Sequence, residues 1–193
     1  MIFVTVGAQM PFDRLLRVVD EWAGRQRDPD VFAQIGPSKM RPQHIRWSQF
    51  LDPEEFREKV RAADTIVAHA GMGSILSALE FGKPVVVMPR RGDLHETRND
   101  HQFATARRLL AQGRVVVAFD EAHLVEKLDT LGNLSHSQPI APQASPLLLK
   151  AIRSFIDTGT GMPPQAVRVR DRAAVADRVH TPTWEPVGVG AAD

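Results

Sequence analysis

Thr65-Ile66-Val67-Ala68-His69-Ala70-Gly71-Met72-Gly73-Ser74 is the stretch on which the fold of this chain turns. Thr65–Ala68 has no polar alternation, as in a strand covered on both faces. Two glycines and a hydroxyl then follow at the point where that strand should turn into a helix. The first amides of a helix have no intrahelical acceptor and lie at the positive end of its dipole. A turn stripped of side chains lets an anion approach them closely. The stretch therefore predicts a buried strand, a tight turn and a helix start that receives a phosphate-bearing ligand.

The same pattern recurs outward in both directions. Ile2–Val6 is a short β-branched run ending at Gly7. After Pro11, which suits a helix's first turn, Phe12, Leu15, Leu16, Val19 and Trp22/Ala23 repeat at helical spacing. Val31–Ile35 and Ile45–Phe50 read as strands, with a loop of Gly36, Pro37, Ser38, Lys39 and Pro42 between them. Asp52-Pro53-Glu54-Glu55 is a strong helix start, and that helix should run to about Ala62. Beyond the glycine turn, Ser74–Phe81 reads as a helix with Ser74 as its cap, stopped by Gly82-Lys83-Pro84. Val85–Met88 is a strand. Asp100–Ala111 is a helix with Phe103, Ala106 and Leu110 on one face and Gly113 as its stop. Val115–Ala118 is a strand, and Glu121–Leu131 a helix with Leu124, Leu128 and Leu131 in register. Apolar strands alternating with helices specify a parallel α/β sheet covered on both faces. Such sheets bind ligands at the carboxyl ends of their strands, where both glycine turns fall.

Leu147–Ile156 reads as a last helix. The segment from 158 to 193 holds Pro163, Pro164, Pro182 and Pro186 with few large apolar side chains, and reads as a mobile or partner-binding arm. The expected organisation is one α/β domain over 1–157 and this tail over 158–193.

Composition narrows the function. The 193 residues carry a net charge of +1, with 43% apolar and 24% charged residues, the balance of a soluble globular protein and not of a nucleic-acid binder. No cysteine is present, which removes disulfides, thiol catalysis and cysteine-ligated metals. The start, Met1-Ile2-Phe3-Val4, has no basic region or long apolar core of a signal peptide, and no run approaches a membrane span. Thr5-Val6-Gly7-Ala8-Gln9 lacks the Gly-x-Gly-x-x-Gly spacing, and neither a Walker lysine motif nor an Asp-x-Asp metal motif occurs. A nicotinamide or ATP enzyme is disfavoured.

The loop after Val85–Met88 is unusually rich in charge, with Arg90, Arg91, Asp93, His95, Glu96 and Arg98, and leads into Asn99-Asp100-His101-Gln102. Taken in order, His-Ala-Gly-x-Gly-Ser, a short helix, Gly-Lys-Pro, an apolar strand ending in Pro89 and Asn-Asp-His-Gln resemble the C-terminal, nucleotide-sugar-binding domain of glycosyltransferase family 28. Phe3-Val4-Thr5-Val6-Gly7-Ala8-Gln9 is similar to the first glycine loop of that domain. The resemblance covers 1 to about 157. It implies a Rossmann-like parallel sheet with helices on both faces, forming one C-terminal-type half of a GT-B fold. An isolated half of this kind resembles the small subunits of two-component glycosyltransferases. The Met72 form of the loop, Pro89-Arg90-Arg91 and Arg98–Gln102 are most similar to the bacterial, PssE-like group of exopolysaccharide assembly.

Residue roles follow from that resemblance. Gly71, Gly73 and Ser74 would hold the diphosphate of a UDP-sugar, with His69 nearby as a hydrogen-bond donor. A satisfied strand-end histidine is the alternative for His69. Gly7 would let the first loop approach the donor, and Gln9 would reach the phosphate or sugar. His101 and Gln102 match positions that contact sugar hydroxyls, with a helix-surface side chain as the alternative for Gln102. One departure stands out. The glutamate that grips both ribose hydroxyls in the family falls at Ser77, and the nearest acid, Glu80, shares its helix face. Either Ser77 bonds the ribose or Glu80 replaces the carboxylate, unless Glu80 is a plain surface charge. Arg90, Arg91 and Arg98 could grip a uronic acid's carboxylate, or could pair with Asp93 and Glu96 or meet a partner or lipid headgroups.

The resemblance implies no cofactor and no metal beyond the UDP-sugar substrate, and no nucleic acid. It implies transfer of a hexose or uronic acid to a lipid-linked acceptor. A membrane-anchored, acceptor-side partner would carry the general base, leaving this chain cytoplasmic and recruited to the inner face of the membrane. Two other readings stay open: a non-catalytic scaffold subunit, and a stand-alone nucleotide-sugar enzyme such as an epimerase.

Overall fold

The computed structural model describes residues 1–98, 101–134, 139–141 and 143–159. Asn99 and Asp100 of the expected motif, and the tail from 160, lie outside the described residues. The chain divides into two compact units, Met1–Pro142 and a second from Gln143 onward.

In the first unit six strands form one parallel sheet: β1 (Ile2–Thr5), β2 (Val31–Gln34), β3 (Arg46–Ser48), β4 (Thr65–His69), β5 (Val85–Met88) and β6 (Val116–Val117). Their order is β3-β2-β1-β4-β5-β6. The connections therefore reverse direction between β1 and β4, which pair in register from Ile2↔Thr65 to Thr5↔Ala68. That reversal opens a crevice at the carboxyl ends of these two strands.

Helices cover both faces, as the apolar strands require. One face is packed by α1 (Asp13–Ala23) and α5 (Glu121–Asp129). There Leu15, Leu16, Val19, Leu124 and Leu128 close over Val4, Val67, Val86 and Met88. Each fully buried leucine stabilises this face by about 1.5–3 kcal/mol before entropy is counted. The other face is packed by α2 (Pro53–Ala62), α3 (Met72–Glu80) and α4 (His101–Ala111). There Val60, Ile75, Ala78, Leu79 and Ala106 meet Phe3, Ile66, Ala68, Val85 and Val87. Asp52 caps α2 with its carboxylate, as the sequence predicts, and the structure adds a capping box with Glu55.

Four local expectations are corrected. Pro11 is not in the first turn of α1, because Phe12 holds the cap position with φ −142° and Asp13 is the first helical residue. The helix after the glycine turn begins at Met72, so Gly71 is its cap residue and Ser74 lies inside the first turn without capping it. On α4, Leu109 packs against the core while Leu110 is exposed. Leu131 falls in a separate short 3₁₀ turn, Leu131–Asn133, after α5 has ended.

The second unit contains α6 (Pro146–Thr158). The Ser145 hydroxyl accepts from the Leu148 amide, Pro146 occupies the first turn, and Gly159 ends the helix in the left-handed region at φ +68°.

Candidate functional site

A cleft of about 700 Å³ opens at the carboxyl ends of β1, β2 and β4. Gly7, Gln9, His69, Gly71, Gly73, Ser74, Arg90, His101 and Gln102 all line it, so nine expected positions are brought together. Ser77, Glu80, Arg91 and Arg98 are not among its lining residues.

The α3 start faces this cleft. Gly71 is extended, at φ −89° and ψ 135°, and no side chain caps the helix. The Gly71 amide is bonded to the His69 carbonyl at 2.8 Å, and the Ile75 amide to the Gly71 carbonyl at 3.2 Å. The amides of Met72, Gly73 and Ser74 lie between these bonds, at the positive end of the dipole. A Cβ added to Gly73 would meet nothing within 4 Å, so the cleft is open directly over these amides.

His69 holds the turn in place. Its ring lies between Gly7 and Gly71: a Cβ on Gly7 would come within 2.8 Å of the imidazole Cε1, and one on Gly71 would overlap Nε2. Gly7 is also at φ +77°, and Gly36 at φ +57°, where a Cβ would overlap the Gly7 carbonyl. These three glycines let the β1 turn, the β2 turn and the imidazole sit in contact. Burial, and then the charge of Arg90, push the His69 pKa down to about 4, against an opposing effect of the Thr5 main chain. Its Nδ1 is buried without a hydrogen bond. The imidazole is therefore neutral at pH 7, able to hydrogen-bond but carrying no charge toward an anion.

Arg90 is 4% exposed and its guanidinium is engaged by main chain. It donates to the carbonyls of Val6 (2.6 Å), Met10 (2.7 Å), Pro11 (2.7 Å) and Glu96 (3.0 Å), and lies 5.0 Å over the Phe12 ring. Burial pushes its pKa down to about 10, partly offset by the Glu96 carboxylate. Arg90 thus ties the β1 turn to the loop after β5. Glu96 is itself gripped by Arg14 of α1, at 2.7 and 2.8 Å, and accepts from the Arg91 amide at 2.8 Å. The Arg91 side chain pairs with Asp93. Arg98 is exposed.

The ribose positions behave differently from the glycine turn. The Ser77 hydroxyl donates to the Gly73 carbonyl at 3.0 Å, one turn back on its own helix. Glu80 pairs with Arg57 of α2 at 2.9 Å, on the solvent side. Gln102 is buried, and its side-chain carbonyl accepts from the Arg90 amide at 3.1 Å. That bond docks the start of α4 against the end of β5. His101 is exposed at the cleft edge.

Gln34, Arg57 and Thr97 line the cleft without having been expected from the sequence, as do Leu51 and Phe56. A signal existed for Gln34, a polar residue closing the apolar run Val31-Phe32-Ala33. Nothing distinguishes Arg57 from the other basic residues of α2. Among the described residues, no carboxylate lines the cleft. No group of three or more metal-ligating side chains is assembled among them, and none of their helices is long and apolar enough to cross a membrane.

A doubly wound parallel sheet with an uncapped helix start at its reversal point is a ligand-binding α/β half-domain of the kind found in nucleotide-dependent transferases. The chain belongs to a particular family of these, the glycosyltransferase family 28 C-terminal domain, which matches residues 1–152. It is 32% identical over 124 residues to the UDP-N-acetylglucosamine transferase subunit ALG13 of Homo sapiens, covering 59% of this chain and 10% of that protein. The protein of the same description from Yarrowia lipolytica is 28% identical over 137 residues, covering 62% of this chain and 65% of its own length. The chain thus spans less than two thirds of these relatives. Among solved structures, a glycotransferase of kitacinnamycin matches with a TM-score of 0.52 at 19% identity, over 69% of this chain and 35% of that one. The solution structure of ALG13 matches with a TM-score of 0.50 at 18% identity, over 78% and 93%. At such identities the structural likeness is one of fold, the Rossmann-like half of a GT-B enzyme.

Proposed function

We propose that this chain is the donor-binding half of a UDP-sugar glycosyltransferase, completed by a second, membrane-anchored chain that carries the acceptor side. The observation that carries this reading is the α3 start, with three adjacent amides free of a side-chain cap and open space above Gly73, set in the cleft between β1 and β4. A diphosphate seated there meets N–H donors and the helix dipole, which hold the charge that develops as the sugar–phosphate bond breaks. Arg57, paired with Glu80, also lines the wall. The names of the curated relatives, both subunits of a UDP-N-acetylglucosamine transferase, support a UDP-sugar donor and a multi-subunit enzyme.

A base must take the acceptor hydroxyl's proton within hydrogen-bond reach. His69 is wedged between Gly7 and Gly71 with Nδ1 buried, and its lowered pKa of about 4 makes it a poor base at pH 7. The proposal therefore places the base on the partner chain, together with the lipid-linked acceptor and the recruitment of this chain to the membrane. A neutral hexose or N-acetylhexosamine is preferred over a uronic acid, because Arg90 is spent on carbonyls and Arg91 on Asp93. Assignment to exopolysaccharide assembly rests on the resemblance of the Met72 loop, Pro89-Arg90-Arg91 and Arg98–Gln102 to the bacterial group.

Calorimetry of the full chain with UDP tests the donor half, and transfer assays with and without the co-expressed membrane partner test the split. UDP binding with transfer only in the complex is expected. Absence of UDP binding at millimolar ligand, or full transfer by the chain alone, refutes the proposal.

A further inference from the structure

Gln34 is a buried carboxamide of the cleft whose oxygen no other described residue uses. It ends β2 and is 6% exposed, and its side-chain oxygen is buried with no hydrogen-bond partner among the described residues. Leaving a polar atom unpaired in this way costs roughly 1–3 kcal/mol. Its neighbour Gln102 shows the contrast, with its oxygen taken by the Arg90 amide.

Its position is set by the sheet. Gln34 pairs with Thr5, and Thr5 with Ala68, so these three lie in one row and point to the same face. Ala68 leads through His69 into the anion-accepting turn. Gln34 stands two strands away, about 10 Å across at ordinary strand spacing. Leu51, Pro53 and Phe56 line the cleft on the same side, an apolar wall at the start of α2. Among the described cleft residues no carboxylate competes for this place.

We propose that Gln34 reads the base of the donor nucleotide, hydrogen-bonding the N3–H edge of a uracil ring that lies against Leu51 and Phe56. This rests on the UDP-sugar reading above and adds how the pyrimidine base of the nucleotide is held. The distance suits a base better than a ribose, since the ribose is directly attached to the phosphate and the base lies beyond it. The chemistry fits as well. A carboxamide offers an acceptor and a donor side by side, the complement of N3–H and an adjacent uracil carbonyl. A half-turn about its last bond exchanges the two ends in the same volume. N3-methyluracil, which has no hydrogen on N3, cannot make this pair. A site built to hydrogen-bond one group rejects the analogue that lacks it.

The test is calorimetry on the full chain with UDP, N3-methyl-UDP and 2′-deoxy-UDP, repeated on Gln34→Leu after its folding has been checked by thermal denaturation. In the unaltered chain, N3-methyl-UDP should bind about tenfold or more weaker than UDP. In Q34L the UDP/N3-methyl-UDP ratio should fall toward one, while the penalty for 2′-deoxy-UDP stays as it was. Equal binding of UDP and N3-methyl-UDP by the unaltered chain overturns the proposal without need of the variant. So does a Q34L that keeps the N3-methyl discrimination, or one that loses only the 2′-deoxy discrimination, which would place Gln34 at the ribose. If UDP itself does not bind the unaltered chain, the UDP-sugar reading falls, and this inference with it.

Discussion

Gly73→Ala separates the cleft's function from its architecture. Gly73 is the second residue of α3 and is absent from the glycines at positive φ, so alanine adopts its backbone conformation. The added Cβ meets no atom within 4 Å. Alanine is favoured over glycine in a helix by roughly 0.5–1 kcal/mol, so the free protein should be as stable as before or slightly more so. The methyl, however, stands on the cleft wall beside the three uncapped amides. An anion held there at hydrogen-bond distance must withdraw and lose one or two charge-assisted bonds, each worth about 1.5–3 kcal/mol. UDP affinity should therefore fall roughly ten- to a hundredfold or more, since about 1.4 kcal/mol is one decade. Urea denaturation measures the first quantity and calorimetry with UDP the second. Unchanged UDP affinity at unchanged stability refutes the placement of the anion at the α3 start. A loss of both together shows that the effect runs through the fold.

Other outcomes follow from the same geometry. Gly71→Ala forces a Cβ into the His69 imidazole, and should cost about 1–3 kcal/mol in denaturation and weaken UDP binding, unlike G73A. His69 is held near a pKa of 4 while its unfolded value is near 6.5, so the unfolded chain binds more protons between those values. Stability should then be full above pH 6.5 and decline toward pH 4, by at most about 3 kcal/mol, and His69→Gln should flatten that slope in urea titrations at several pH values. Arg90→Met leaves four carbonyls without their donor and should destabilise by on the order of 3 kcal/mol, with faster amide exchange over Val6–Phe12. Ser77→Ala and Glu80→Gln should each leave UDP affinity within about threefold, because neither side chain lines the cleft; a tenfold loss in either would restore the ribose role to that residue.

The corrections share a cause. Ser77 and Glu80 lie on the same helix as the anion-accepting turn, and nearness in sequence suggested a shared site. The cleft meets only the start of α3, and each further turn carries a side chain about 5.4 Å along the axis away from it, so Ser77 and Glu80 lie roughly one and two turns beyond it. Ser77 is turned back onto Gly73, and Glu80 reaches Arg57 on the neighbouring helix. The arginines misled differently. A charge-rich loop at a strand's carboxyl end suggested ligand contact, yet Arg90 spends its donors inside the protein, on carbonyls about 80 residues away.

By itself the sequence determined the parallel sheet, most element boundaries to within a residue or two, and the glycine turn after β4. Apolar runs and helical spacing record which surfaces must leave water, and glycines record where backbone must come close. Neither says which distant groups meet. Tertiary structure alone decided that Gly7 and Gly71 enclose one imidazole, that Arg90 is a buried tie, and that Gln34 and Arg57 enter the cleft. The reason is that strand order, not chain order, sets these neighbours: the reversal between β1 and β4 brings residues 5, 34 and 68 into one row. Hydrogen bonds across such a row leave no period in the sequence that could announce them.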